Sequence, residues 1–391
     1  MDLLSGGVDI VLPFLAFLLD YAVPFLVAIT VLVFVHEMGH YLVARWCGVR
    51  VEVFSVGFGS EIYGWTDSRG TRWKLSWIPI GGYVKMFGEM LPPAAGEVRD
   101  EDRLSPEEES VSFHTKSLWR RAAIVFAGPL ANFLFAVVVL AGIFATVGER
   151  STPANVTAVM DGSAAARAGI EPGDVIVRID GTEIERFEQV VRIVRMSAGV
   201  RLRIEVERNG RPVMLFAVPD TVRLTDGPAR DEKIGRLGVS RSGGGVRIVR
   251  HDPATAVLRG FGEMFRMIGD IFQVLGQMFA GTRDTSELGG PIRIAQISGD
   301  VWQTGAVSML IFLAALSINL GLINLFPIPM LDGGHLMFYA VEAVAGRPLG
   351  ERAREYGYRM GIAMVLGLMV FVTWNDLMQL RIVDFIVDLV T

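Results

Sequence analysis

The stretch VLVFVHEMGH, residues 31–40, joins a run of apolar side chains directly to two histidines and a glutamate. The run begins near residue 22 and has the composition of a helix that crosses a bilayer. On a helix, His36 and His40 lie one turn apart on the same face, which suits a single Zn²⁺. Glu37 would then lie beside the metal, where it can take a proton from water. Ionisable groups at such depth are costly and usually functional, so we predict a zinc site on a membrane helix.

The overall composition agrees with a membrane location. The 391 residues are 51% hydrophobic, and the mean hydropathy is +0.42, which is typical of a membrane protein with soluble inserts. The net charge of −5 is modest, so we expect no nucleic-acid partner. A single cysteine, Cys47, excludes an intrachain disulfide and a thiolate metal cluster. The N-terminus lacks the pattern of a removed signal peptide.

Four segments are apolar enough to be predicted as spans, about 21–46, 122–147, 306–326 and 361–374, with a shorter apolar stretch at 10–19. Lysine and arginine are concentrated between spans one and two and between spans three and four, which predicts that these loops are cytoplasmic. The segment 148–305 and both termini then lie outside the cytoplasm. Spans one and three run in the same direction, so the ends of both reach the same depth.

A candidate third ligand lies at that depth, in the string NLFPIPMLDGGH at residues 324–335. Pro327 and Pro329 cannot continue a regular helix, and Asp332 follows the break. Two imidazoles and one carboxylate would leave Zn²⁺ with an open position for water. Two alternatives remain: Asp332 could cap the next helix, or the third ligand could be Glu61, which follows His40 by 21 residues.

Five motifs resemble the site-2 protease family of intramembrane zinc metalloproteases, in particular its bacterial RseP group: HEMGH, GFG (57–59), GGYVKM (81–86), GPLAN (128–132) and NLFPIPMLDGG. The resemblance implies that His36, His40 and Asp332 bind one Zn²⁺ and that Glu37 is the catalytic base. It also implies that Asn324, Pro327 and Pro329 contact the substrate.

Residues 51–86 alternate apolar and polar side chains around a turn at 67–70, which predicts one or two β-hairpins. The resemblance implies a membrane-reentrant sheet whose edge pairs with the substrate, and in it Gly57 and Gly59 would allow close backbone approach. Residues 92–110 are predicted to form an exposed cytoplasmic linker.

The strings at 162–176 and 179–181 resemble one PDZ domain over about 152–222, which 234–240 could complete, whereas RseP-type proteins often carry two. Peptide capture and steric exclusion are both open as its role. Residues 254–279 predict an amphipathic helix that either lies on the membrane surface or packs on the PDZ domain.

The predicted fold is therefore a polytopic α-helical membrane protein with four transmembrane helices, a membrane-associated β-hairpin region and an inserted extracytoplasmic PDZ (α+β) domain. Its predicted segments are 1–48 (first span, HExxH), 49–115 (β-hairpins and linker), 116–148 (second span), 149–245 (PDZ domain), 246–303 (amphipathic segment), 304–335 (third span, NxxPxPxLDGG) and 336–391 (cytoplasmic loop, fourth span and C-terminus).

The predicted function is an intramembrane zinc endopeptidase of the bacterial inner membrane, with its site near the cytoplasmic side and its PDZ domain and termini in the periplasm. Its partners would be the lipid bilayer and, as the resemblance implies, single-span membrane proteins such as anti-sigma factors or remnant signal peptides, cut in regulated intramembrane proteolysis. Two alternatives remain: a quality-control metalloprotease that cuts exposed loops, and a PDZ scaffold with a degenerate metal centre.

Overall fold

The computed structural model describes residues 18–89, 105–151, 153–184, 186–223, 233–240, 247–281 and 289–379. Most of the apolar stretch at 10–19 and most of the predicted linker lie outside these residues. The described residues divide into two compact units. The first lies within 1–140, 260–271 and 288–391, and the second lies within 141–259 and 272–287.

Four helices are long and apolar enough to cross a membrane, and they cover Leu19–Trp46, Leu118–Thr146, Ala306–Leu325 and Arg352–Met378. The four predicted spans are therefore helices, and the fourth extends beyond 361–374 into its flanks at both ends, as expected. The helices of the first unit are α1 (Val23–Trp46, after a π-helical turn at Leu18–Ala22), α2 (Pro106–Val111), α3 (Leu118–Thr146, its last residues in the second unit), α7 (Pro291–Thr304), α8 (Ala306–Leu325), α9 (Asp332–Ala345) and α10 (Glu351–Gln379).

The end of the predicted linker is helical rather than unstructured. Ser105 accepts a hydrogen bond from the Glu108 N–H, and the Glu108 carboxylate accepts one from the Ser105 N–H. This reciprocal pair satisfies backbone groups that a helix start leaves open, with Pro106 at the first position. The last part of the predicted linker is therefore a short helix, and its side chains are mostly exposed.

One antiparallel pair of long strands, β1 (Val51–Thr66) and β2 (Arg72–Met86), forms the sheet of the first unit. Residues 53–56 of β1 lie opposite both 72–75 and 82–85 of β2, and 61–66 of β1 lie opposite 72–76. The early part of β1 is therefore flanked by two parts of β2, and the 82–86 part has one strand neighbour among the described residues. Gly57 and Gly59, at φ +88° and +90°, provide the bend in β1.

Gly57 lies close to the backbone across the sheet, because a Cβ on it would lie 2.7 Å from the Ile78 carbonyl oxygen. Contact of Gly57 and Gly59 with a substrate stays a prediction. The sheet is buried at one end, where Phe54 stacks on Trp73 and packs edge-on against Tyr41 of α1. At the other end, large apolar side chains are exposed, which suits contact with lipid. They include Phe58, Ile62, Tyr63, Trp77, Ile78 and Ile80.

The second unit is built on a four-stranded antiparallel sheet in which 182–183, 175–179, 202–208 and 211–217 lie side by side in that order. Its apolar core includes Ile176, Ile204 and Val190. Ser163 caps a short helix that ends at Gly169 in the left-handed conformation, as the glycine turn predicts. Its elements are β3 (Glu149–Ser151), β4 (Ala158–Val159), α4 (Ala164–Ala168), β5 (Val175–Ile179), β6 (Thr182–Glu183), α5 (Phe187–Met196), β7 (Leu202–Arg208), β8 (Arg211–Ala217), β9 (Asp220–Arg223), β10 (Lys233–Arg236), β11 (Val239–Ser240) and β12 (Arg247–Val249).

Residues 234–240 join this unit, because β10 pairs with β9 and β11 pairs with β4. The amphipathic segment forms α6 (Pro253–Phe279), which belongs partly to each unit. Phe265, Phe272 and Phe279 of this helix are exposed. Gln277, in contrast, donates a hydrogen bond to the Met196 carbonyl oxygen.

Candidate metal centre

Two helices and one loop bring three candidate ligand atoms together in the first unit. His36 and His40 lie on α1, and Asp332 begins α9 after the proline-broken segment. Asp332 Oδ2 is 3.1 Å from His36 Nε2 and 3.6 Å from His40 Nε2, and the two Nε2 atoms are 3.2 Å apart. Among the described residues, this is the group of histidines, cysteines and carboxylates that could hold a metal ion.

These separations fit a tetrahedral zinc site. Zinc bonds of about 2.0–2.2 Å place neighbouring ligand atoms of a tetrahedron about 3.3–3.6 Å apart. Asp332 Oδ2 is buried and has no hydrogen-bond partner within the protein, which is costly unless the oxygen has another partner such as a metal. Three protein ligands leave the fourth position for water or substrate.

The orientation of His40 suits metal binding through Nε2. Its Nδ1 lies 2.8 Å from the backbone carbonyl oxygen of Ile124 on α3. A carbonyl oxygen only accepts, so Nδ1 carries the ring proton and donates it. The lone pair of the neutral ring is therefore on Nε2, which faces His36 and Asp332.

His36 has an outer partner of another kind. The side-chain amide of Asn132, also on α3, is fully buried, and its nitrogen is 3.1 Å from His36 Nδ1. The sequence reasoning placed Asn132 within a family motif but gave it no role. A signal was present, because Asn132 is the one amide side chain in Leu118–Thr146.

Glycines allow α1 and α3 to approach closely at this site. A Cβ on Gly39 would lie 2.2 Å from the Ala127 carbonyl oxygen, and a Cβ on Gly128 would lie 2.3 Å from His40 Nε2. Both distances are far below van der Waals contact. The glycines of HEMGH and of GPLAN are therefore needed where the two helices meet.

A compact turn between α8 and α9 positions Asp332. Helix α8 ends at Leu325, and Met330 takes a φ of +90°, which is strained for a side chain of this size. A Cβ on Gly333 would lie 2.2 Å from the Phe326 carbonyl oxygen, so the start of α9 lies directly against the end of α8. Asp332 is the first residue of α9, whose cap position is Leu331, and its carboxylate contacts His36 and His40, which argues against the helix-cap alternative.

Glu37 lies between the metal cluster and the sheet. It is half-buried, and its carboxylate is within hydrogen-bonding reach of the Val84 backbone N–H. A Cβ on Gly82 would be 3.7 Å from Glu37 Cγ, so the 82–86 part of β2 passes directly beside this carboxylate. The general base candidate and a sheet edge are thus adjacent.

The other predicted site residues lie in different surroundings. Glu61 is ion-paired with Arg72 on the sheet and is not part of the metal cluster. Pro327 is exposed, Asn324 is half-buried, and Pro329 is buried, where its carbonyl oxygen would lie 2.0 Å from a Cβ on Gly361 of α10. The structure therefore gives Pro329 a packing contact with the fourth span.

Comparison with known proteins gives the family. The profile described as Peptidase family M50 matches residues 24–368. The chain belongs to peptidase family M50. It is 44% identical to a provisionally named zinc metalloprotease of Agrobacterium fabrum, over 93% of this chain and 97% of the relative. It is also 38% identical to metalloprotease MmpA of Caulobacter vibrioides, over 94% of this chain and 98% of that protein.

The family and the geometry agree on the chemistry. As a member of family M50 with a buried His–His–Asp cluster of zinc-like dimensions, the chain is a zinc metalloprotease. Its four apolar helices make this M50 peptidase a membrane protein. The predicted enzyme class, cofactor and family are confirmed.

Proposed function

We propose that this M50 peptidase is an intramembrane endopeptidase that cleaves transmembrane segments of single-span proteins. The observation that carries the proposal is that His36, His40 and Asp332 converge within 3.6 Å, with Glu37 beside them. Both histidines and Glu37 lie on a helix apolar enough to span a bilayer. Such groups are costly at membrane depth unless they serve a function.

In this proposal His36, His40 and Asp332 hold the zinc ion, and Glu37 is the general base. Zinc supplies a Lewis acid that makes water more acidic and polarises the scissile carbonyl. The Glu37 carboxylate takes the proton of the attacking water and later delivers it to the nitrogen of the leaving amine. Its half-buried position beside the ligands supports both steps.

The substrate would bind in extended form along the 82–86 part of β2. A peptide bond within a helix is shielded by the hydrogen bonds of that helix, and unwinding it costs backbone pairing. Addition to a strand edge restores the pairing. The proposal is supported by Val84 and Gly82 of this part of β2, which lie beside the Glu37 side chain. Asn324 and Pro327, at the end of α8, would contact the same extended segment.

For the rest of the molecule we propose the predicted arrangement. The protein would lie in a bacterial inner membrane with the metal centre towards the cytoplasm, and residues 149–245 would form a periplasmic PDZ domain. The positive charges between spans one and two and between spans three and four support this orientation. The substrates would be membrane proteins already shortened outside the membrane, including anti-sigma factors or remnant signal peptides.

The test is cleavage by the purified protein in lipid nanodiscs. Wild type and Glu37→Gln are incubated with a single-span substrate, with the same substrate carrying a folded outer domain, and with an unfolded soluble protein. We expect cleavage within the span of the short substrate by wild type alone, because Glu37→Gln keeps the shape of the side chain but removes the base.

Other outcomes favour the other candidate functions. Glu37-dependent cleavage confined to soluble loops would indicate a quality-control protease. If the wild-type protein neither cleaves any substrate nor binds zinc, it would be a PDZ scaffold with a degenerate metal centre. Equal cleavage of the short substrate and of the one with a folded outer domain would count against selection by the outer domain.

A further inference from the structure

The contact between Asn132 and His36 is incompatible with metal binding in one of its two orientations. The amide nitrogen of Asn132 faces His36 Nδ1 at 3.1 Å, and the amide oxygen, Oδ1, is buried without a partner. If the amide donates to Nδ1, that atom holds the ring lone pair and Nε2 carries the proton. A protonated Nε2 cannot bind a metal.

The opposite orientation leaves His36 Nε2 free for a metal and gives the buried amide oxygen a partner. A half-turn about the last side-chain bond of Asn132 places Oδ1 against His36 Nδ1. Oδ1 then accepts the Nδ1 proton, the lone pair moves to Nε2, and no buried amide oxygen is left without a partner. His36 would then match His40, whose Nδ1 donates to the Ile124 carbonyl oxygen.

We propose that Asn132 is a positioning residue for zinc, which accepts a hydrogen bond from His36 Nδ1 through Oδ1 and so fixes the ring with Nε2 towards the metal. The inference rests on the ligand set proposed above. Outer hydrogen-bond partners of metal-bound histidines orient the ring and raise its basicity. Helix α3 thus supplies an outer partner to both histidines, a backbone carbonyl to one and an amide to the other.

A role in packing alone is separable from this one. The backbone of Asn132 makes a separate polar contact with α8: the Ser317 hydroxyl donates a hydrogen bond to the Asn132 carbonyl oxygen at 2.9 Å. Substitution of the Asn132 side chain leaves that bond available. Ser317 is itself fully buried at the same helix contact, so Ser317→Ala is a matched control that removes a buried polar group without touching His36.

The experiment measures zinc affinity by competition with a chromophoric chelator, on full-length protein in detergent. We expect Asn132→Leu, which keeps the number and branching of the side-chain heavy atoms but cannot accept a hydrogen bond, to weaken zinc binding about 10- to 100-fold. Asn132→Asp should bind zinc at least as tightly as wild type, because a carboxylate also accepts from Nδ1. Ser317→Ala should remain within about 2-fold of wild type, below the outer-partner effect.

Cobalt substitution adds a spectroscopic measurement that a purely structural role would not change. The visible spectrum of Co²⁺ in Asn132→Leu should differ from that of wild type, and Asn132→Asp should restore an intense tetrahedral spectrum. Zinc affinity unchanged in Asn132→Leu, or lost equally in Ser317→Ala, would overturn the inference. His36→Ala tests the ligand set separately from the role of Asn132. If His36→Ala retains zinc, the proposed ligand set is wrong. If His36→Ala loses zinc while Asn132→Leu keeps normal affinity, only the role of Asn132 is rejected.

Discussion

Among single residues, the glycines beside the metal cluster matter as much as the ligands, because they leave room for the histidine rings. Gly128 lies on α3 directly beneath the two histidines, and a methyl group there would overlap His40 Nε2. Residues that bind nothing can therefore decide whether the ligand atoms keep their separations.

Gly128→Ala is expected to lose most of its zinc although no ligand changes, because its Cβ would lie 2.3 Å from His40 Nε2 and displace the ring. Gly142→Ala on the same helix is the control, since a Cβ there meets nothing within 4 Å. The measurement is zinc per chain after purification. A full complement of zinc in Gly128→Ala would show that the ring can move without loss of the site.

A second residue-scale contact stabilises the second unit. Arg208 donates to both oxygens of the fully buried Asp174 carboxylate, through Nε at 2.7 Å and Nη2 at 2.8 Å. Burial alone would raise the pKa of Asp174, but Arg208 and the Glu171 N–H stabilise the charged form, and the pKa is lowered.

A lowered pKa means that the stabilisation is complete above the unfolded value of about 4 and is lost as the pH falls through the folded value. We therefore expect the second unit to keep constant stability from pH 7 to about 5 and to weaken below about 4. Arg208→Met should destabilise the second unit at pH 7, because a buried carboxylate loses its partner. Hydrogen exchange of the β5 and β7 amides measures both effects, and an unchanged protection in Arg208→Met would contradict them.

Among the elements, one carboxylate of α10 accepts hydrogen bonds from the start of α7 and so joins the last span to that helix. Asp376 of α10 is buried and accepts from the backbone N–H groups of Gly290, Ile292 and Arg293 at 2.7–3.2 Å. These are N–H groups that the start of α7 cannot satisfy within the helix, and a negative charge there is favoured by the helix dipole.

Asp376→Ala should therefore expose the first turn of α7, at a cost of about 2 kcal/mol for the lost cap. Asp376→Asn should lie between the alanine variant and wild type, because it keeps an acceptor and loses the charge. Hydrogen exchange at Gly290, Ile292 and Arg293 reads the effect directly. Equal protection of these amides in all three proteins would mean that water serves the helix start as well as Asp376 does.

At the scale of the whole molecule, local patterns were predictable from the sequence and distant contacts were not. Apolar runs gave the four spans, and the HEMGH spacing gave two ligands on one face of α1, because both depend on neighbours within a few residues. For the third ligand the sequence favoured Asp332 and left Glu61 as an alternative, because Glu61 lies in a strand-like stretch. The sequence could not show that Asp332 contacts α1 or that Glu61 pairs with Arg72, since both contacts depend on the tertiary fold.

The unpredicted contacts join residues that are far apart in the chain. Asn132 reaches His36 across 96 positions, and Asp376 reaches Gly290 across 86. Such contacts follow from how helices pack, and many packings are compatible with the same apolar faces. The arrangement of β1 between two parts of β2 was hidden for a similar reason, since alternation marks a strand but not its neighbours.

His36 and His40 of the first span are expected to share one zinc ion with Asp332, which follows the third span. This sharing is tested by comparing the zinc content of Asp332→Ala with that of Glu61→Ala, each purified without added metal. The account predicts that Asp332→Ala is depleted of zinc and that Glu61→Ala retains one ion per chain. Retention by Asp332→Ala together with loss by Glu61→Ala would contradict it.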